Sequence, residues 1–212
     1  MAESKSDALR LQMINAQLRT CDINDLDLLA AFAAVPREDF VAPAQRSLAY
    51  ADGEVAAAGP AGRKMLSPRT LGLLLKSAAP VKGERALVVG DGAGYGAALL
   101  NALGLDVVML ETQASAARAA NPGPVRIVEG PLNAPPPGAF DVIIVNGAFE
   151  ETPQRLIAAL AEGGRLVGLR AGSPVKQIVL FERAGGGVSE RALYDASGDV
   201  LPGFARAAAF AL

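Results

Sequence analysis

From residue 85 onward the chain alternates short apolar runs with helical patterns. The apolar runs fall near 86–90, 106–111, 124–128, 140–146 and 165–170. They are continuous rather than alternating, as expected of parallel strands buried on both faces. Helical patterns occupy 94–103, 113–120 and 152–161 between them. This order predicts an α/β fold: a mostly parallel, doubly wound sheet with crossover helices on both faces. Two more strands near 176–183 and 189–194 flank Gly185-Gly186-Gly187, which predicts a terminal antiparallel hairpin.

The first 84 residues read as a helical block, set against a sheet-forming core over 85–212, the two making one compact domain. Residues 7–18 fit an amphipathic helix with Leu9, Met13, Ala16 and Gln17 near one stripe. Asn24 or Asp25 can cap a second helix running to Ala34, which Pro36 ends. Residues 36–40 suit a turn or one helical turn, and 50–64, rich in Gly and Ala, read as loop. Ser67-Pro68 fits the N-cap and first position of a helix running to Ser77.

The densest chemical signal follows the first strand of the core. Gly90, Gly92, Gly94 and Gly96 cluster at its carboxyl end, and Glu111 closes the next strand. Glycines there allow a tight turn and close backbone approach to a ligand. An acidic residue about 20 positions on can accept hydrogen bonds from a ribose diol. The pattern points to a nucleoside cofactor and leaves two readings. The run from Gly92 to Ala97 fits G-x-G-x-x-A, the dinucleotide fingerprint, whereas the run from Gly90 to Gly94 fits the G-x-G-x-G loop of S-adenosylmethionine-dependent methyltransferases.

Composition narrows the chemistry. The chain has 212 residues, 51% of them hydrophobic, yet no apolar run nears the ~18 residues of a membrane span. Its first 20 residues are polar and carry no signal-peptide core. With Cys21 as the one cysteine, no intrachain disulfide can form, and a cytoplasmic protein is expected. A net charge of −2 with interspersed signs argues against a nucleic-acid partner. Histidine is absent, which removes the commonest general base and metal ligand, so no metal site is expected.

Longer blocks extend the glycine signal. The stretch from Phe32 to Pro43, AFAAVPREDFVAP with its preceding Ala31, is similar to the "AF-x-x-VPRE-x-F-VP" segment of protein-L-isoaspartate O-methyltransferases. Leu48-Ala49-Tyr50-Ala51-Asp52 resembles the family's "A-Y-x-D", and Gly92-Ala93-Gly94-Tyr95 its "GSGY". Phe140-Asp141-Val142-Ile143-Ile144-Val145 and Gly163-Gly164-Arg165-Leu166-Val167 fit later blocks. The resemblance implies a Rossmann-like methyltransferase fold. It also implies S-adenosylmethionine as cofactor, S-adenosylhomocysteine as product, and a damaged protein or peptide carboxylate as acceptor. On it, the site residues are Ser67 for catalysis and Gly90, Asp91, Gly92, Gly94, Tyr95, Glu111, Thr112, Gly130 and Asn146 for the cofactor.

Three positions depart from the family pattern. Val88 stands where an acidic residue usually helps hold the methionine end of the cofactor. Glu129-Gly130-Pro131 replaces a "GDG" whose Asp faces the adenine. Leu66-Ser67-Pro68 can be matched to "T-I-S-x-P" through the serine, which keeps Ser67, or through the proline, which puts Leu66 in the serine's place. Several candidates also have plain structural readings: Ser67 as a helix N-cap, Asp91 as a turn-former, Tyr95 as a shield for the helix start, Glu111 as a solvated strand end, and Asp141 as a strand brace. Arg63 and Arg69, flanking the acceptor loop, read as solvated charges or as partners of a carboxylate. Two competing functions follow: a silent descendant that binds a partner or metabolite through the same cleft, and a nicotinamide-dependent oxidoreductase. The second lacks a histidine or a spaced Ser-Tyr-Lys set.

Overall fold

The computed structural model describes residues 5–118, 124–172 and 175–206. Nine strands form among the described residues: β1 (Val55–Ala56), β2 (Lys64–Met65), β3 (Arg85–Val89), β4 (Asp106–Glu111), β5 (Arg126–Glu129), β6 (Phe140–Phe149), β7 (Leu160–Arg170), β8 (Lys176–Ala184) and β9 (Gly187–Ala196). The last seven make one sheet in the order β5-β4-β3-β6-β7-β8-β9. Pairing is parallel from β5 to β7 and antiparallel for β7–β8 and β8–β9. The α/β sheet and terminal hairpin are therefore as the apolar runs predict. β1 and β2 form a separate two-stranded ribbon inside the stretch read as loop.

Side chains along the strands alternate between two apolar layers, because successive residues point to opposite faces. Ala86, Val88, Val107, Met109, Val142 and Ile144 join the larger layer with the N-terminal helices. Leu87, Val89, Val108, Leu110, Ile143 and Val145 join the smaller one with Leu156, Phe181 and Leu201. The helices are α1 (Lys5–Met13), α2 (Leu26–Ala34), α3 (Pro68–Ala78), α4 (Tyr95–Ala102), α5 (Ala114–Arg118) and α6 (Gln154–Ala158). No helix of the described residues is long and apolar enough to cross a membrane.

Local chemistry sets the helix ends. The Asp25 side chain accepts from the Leu28 amide and starts α2; the Ser67 side chain accepts from the Thr70 amide and starts α3, with Pro68 behind it. The first helix differs from expectation. It stops at Met13 and passes through a π-helical turn, Ile14–Leu18, into a 3-10 turn, Arg19–Cys21. The wider π turn rotates the buried stripe to Met13, Ile14 and Leu18, leaving Leu9 exposed. α6 is shorter than the 152–161 pattern, because the chain enters β7 at Leu160. The part of the 113–120 helix beyond 118 lies outside the described residues.

The order β4-β3-β6 places the switch of winding direction at β3. Ligands of open α/β sheets bind outside the carboxyl ends of the strands at such a point. Here that crevice lies between Gly90, Glu111 and Asn146, the ends of β3, β4 and the core of β6.

Gly168 tests the layering. Its strand φ is unremarkable, but an added Cβ would lie 2.8 Å from Phe149 Cε1 and 2.9 Å from Val145 Cβ. Gly168→Ala should lower unfolding stability by about 1–3 kcal/mol through overpacking. Chemical denaturation measures this, and an unchanged midpoint would mean the layer yields freely.

Candidate active site

The glycine loop joins β3 to α4 with three left-handed residues, Gly90 (φ 72°), Gly92 (φ 64°) and Gly94 (φ 92°). This backbone turns the amides of Gly92, Gly96 and Ala97 toward two carboxylates. Asp91 is 1% exposed and accepts from the Gly96 amide at 3.2 Å, the Ala97 amide at 2.8 Å and the Asn146 Nδ2. It thus caps α4 from within the loop. Burial pushes its pKa up to about 7, with the nearby Glu111 charge adding to the shift and the loop amides opposing it.

Glu111 is 0% exposed. Its carboxylate accepts from the Gly92 amide at 3.0 Å, the Thr112 amide at 2.8 Å and the Thr112 hydroxyl at 3.0 Å. The remaining donor is Arg63, whose Nη2 lies 2.8 Å from Oε1 and whose Nε lies 3.3 and 3.4 Å from the two oxygens. Glu111 is therefore no solvated strand end, and Arg63 is no solvated charge.

Arg63 comes from the segment that lies over the glycine loop. A Cβ at Gly92 would meet Ala57 Cβ at 3.1 Å and Arg63 Cβ at 3.2 Å, and one at Gly59 would meet the Gly92 backbone at 2.8 Å. Beside it opens a cavity of about 500 Å³, lined by Arg63, Lys64, Leu66, Thr112, Gln113, Asn146 and Leu201 among others. Asn146 Oδ1 is buried without a partner next to Asp91, an acceptor waiting for a donor.

Several candidates lie elsewhere. Ser67 does not line the cavity, and neither do Gly90, Asp91, Gly92, Gly94 and Glu111, which sit behind its wall; the Ser67 Oγ is held by the Thr70 amide and hydroxyl, each at 3.1 Å, as the N-cap of α3. Leu66 lines the cavity. Tyr95 is buried, 5.3 Å from the Phe40 ring and 6.2 Å from the Phe32 ring, and fastens the N-terminal block to α4, its hydroxyl without a partner among the described residues. Gly130 donates its amide to the Glu111 carbonyl and is absent from the cavity wall, while Glu129 accepts from the Ala114 amide at the start of α5. Val88 is core, and Asp141 braces the sheet by accepting from the Arg85 amide at 2.9 Å.

Arg37 was legible only as part of a motif. It is 0% exposed, with Nε donating to the Ala49 carbonyl at 2.7 Å and Nη2 to the Leu66 carbonyl at 2.8 Å. Its guanidinium lies 5.2 Å from the centre of the Tyr95 ring. The signal for it was an arginine set between Val35-Pro36 and Phe40-Val41.

Comparison with known proteins decides the lineage. The family model for protein-L-isoaspartate(D-aspartate) O-methyltransferase matches residues 10–193. The chain belongs to the protein-L-isoaspartate O-methyltransferase family. A Methylorubrum populi enzyme of that name is 36% identical over 183 residues, covering 82% of this chain and 85% of that protein. A Koribacter versatilis relative of the same name is 35% identical over 195 residues, covering 88% and 86%. Among solved structures, one isoaspartate O-methyltransferase superposes with a TM-score of 0.78 at 23% identity, covering 92% of this chain and 66% of that one. A Plasmodium falciparum protein bound to S-adenosylhomocysteine gives 0.75 at 21% identity, covering 94% and 99%. At such identities these two matches speak for the fold alone. They fit the seven-stranded family sheet seen here.

Two measurements check the site. The Asp91 pKa is raised from the unfolded value near 4, so the unfolded chain loses this proton first as pH rises. Its contribution to stability is present below about pH 4 and declines toward about pH 7. The stability of wild type relative to Asp91→Asn should fall over that window and then level, as read from melts at stepped pH. Ser67→Ala should lower stability by about 1 kcal/mol through loss of the cap. Methyl transfer to an isoaspartyl peptide should fall no further than that stability loss explains; a larger drop in turnover would return Ser67 to the acceptor side of the site.

Proposed function

We propose that this protein methylates carboxylates with S-adenosylmethionine, its acceptor being the isoaspartyl carboxylate of a damaged protein or peptide. The observation that carries the reading is the Glu111 carboxylate, held at the end of β4 by the Gly92 amide of the glycine loop. Family membership supplies the reaction class.

The donors and acceptors around the crevice fit the cofactor. Glu111 is placed to accept from ribose hydroxyls, and the two Thr112 bonds hold its rotamer. The unpaired Asn146 Oδ1 and the Asp91 carboxylate offer acceptors for the methionine ammonium, taking over what Val88 cannot do. Gly90, Gly92 and Gly94 let the backbone approach closely.

When bound, the cofactor supplies an electrophilic methyl group on sulfonium. A carboxylate acceptor has a pKa near 4 and is already an anion at neutral pH, so it attacks without a general base. A chain with no histidine is suited to that task. What its residues contribute is position and exclusion of water. Leu66 presents an apolar wall to the cavity, and Arg37 fixes that wall by holding the Leu66 carbonyl.

Labelled S-adenosylmethionine with matched isoaspartyl and aspartyl peptides tests the reading. Label should enter the isoaspartyl peptide as a base-labile ester. Glu111→Gln should weaken S-adenosylhomocysteine binding by about 1.5–3 kcal/mol, the range for hydrogen bonds to a charged group. Cofactor binding without transfer to either peptide would instead favour a silent binding module.

A further inference from the structure

Arg63 and the cofactor ribose need the same carboxylate. In this structure Arg63 uses Nη2 and Nε on Glu111, with the arginine side chain 10% exposed and the glutamate 0%. Its stem also lies across Gly92, where a Cβ would come within 3.2 Å of Arg63 Cβ. A ribose bonded to Glu111 therefore has to displace the guanidinium. The displaced group can turn into the cavity that holds Leu66 and Asn146, because Arg63 also lines it. Its neighbour Lys64 is already held by Asp199 at 2.9 Å and Glu54 at 3.7 Å.

We infer that Arg63 is an exchange residue: it neutralises Glu111 while the cofactor is absent and pairs with the acceptor carboxylate once the ribose has taken Glu111. The inference rests on the reading of Glu111 as the ribose acceptor. The physical basis is charge balance. A fully buried carboxylate is strongly disfavoured without partners, and Arg63 adds the one positive charge to the donors that Gly92 and Thr112 supply. Ribose hydroxyls replace that partner, and the freed guanidinium offers a planar pair of donors matched to a second carboxylate. Binding then becomes ordered, cofactor first and anionic acceptor second. The cation that selects the acceptor is also the group that competes with the cofactor.

The two halves predict opposite effects of one substitution. Arg63→Met keeps the stem over Gly92 and removes the guanidinium. In calorimetric titrations it should bind S-adenosylhomocysteine about tenfold or more tightly than wild type, since the ribose no longer competes with a charge-assisted bond. Its melting temperature without ligand should fall, because Glu111 loses a partner. The KM for an isoaspartyl peptide should rise at least about tenfold, for the same reason applied to the acceptor. Arg63→Lys keeps the charge but loses the bidentate fork, so it should lie between the two in both measurements. If Arg63→Met does not fold, the lysine variant decides by the same signs. Unchanged or weaker binding of S-adenosylhomocysteine overturns the exchange. Tighter binding with an unchanged peptide KM overturns the acceptor half. No heat from S-adenosylhomocysteine with any of the three proteins overturns the proposed function itself.

Discussion

A carboxylate with no exposed surface must be surrounded by donors, and at Glu111 they come from three separate segments. The glycine loop gives the Gly92 amide, the strand's own continuation gives Thr112, and the segment before α3 gives Arg63. Each depends on the others. Gly92 can turn its amide inward because its φ is positive, which a β-carbon would strain and which Ala57 and Arg63 would also crowd. Arg63 reaches Glu111 because its loop rests directly on that glycine. The crevice is thus a closed electrostatic unit, and whatever enters it must replace one of these donors in kind.

A second buried charge ties this unit to the N-terminal block. Arg37 is without solvent contact and has no carboxylate partner; burial pulls its pKa below the ordinary arginine value, opposed by the fields of Tyr95, Tyr50 and Asp91. Its charge is distributed over two backbone carbonyls and the Tyr95 ring. Those carbonyls belong to Ala49 and Leu66, the two ends of the segment that carries Arg63. The arginine therefore works as a cross-brace under the loop, while Tyr95, at the start of α4, joins the same brace to the glycine loop. Truncating Arg37 would loosen the cavity wall at Leu66 from beneath.

The sheet was legible because its strands are buried on both faces and so read as unbroken apolar runs; 106–111 coincides with β4 throughout. Helices that begin with a capping residue were legible too, as at Asp25 and Ser67. The π turn at Ile14–Leu18 was not, since nothing local distinguishes it from a continued helix. Pairings across the chain were hidden for a deeper reason. Arg63 and Glu111 are 48 residues apart, and their meeting depends on the fold that brings β2 over the glycine loop. The cap at Ser67, by contrast, was legible from Pro68 alone, because a proline at the first helical position marks the preceding residue as the N-cap.

The packing around Val88 explains why a valine suits the place where the family pattern carries an acid. Odd and even residues of β3 serve opposite faces, and Val88 lies on the face covered by the N-terminal helices, within the larger apolar layer. A carboxylate there would need its own donors amid aliphatic neighbours, at a high desolvation cost. Asp91 stands three residues later, past the strand end, where the loop amides of Gly96 and Ala97 supply donors that a strand cannot. Moving the charge from strand to loop lets the strand stay apolar and still places a carboxylate beside Asn146 at the mouth of the sheet. Burial at that place raises the Asp91 pKa, and the amides of Ala97 and Gly96 oppose the shift.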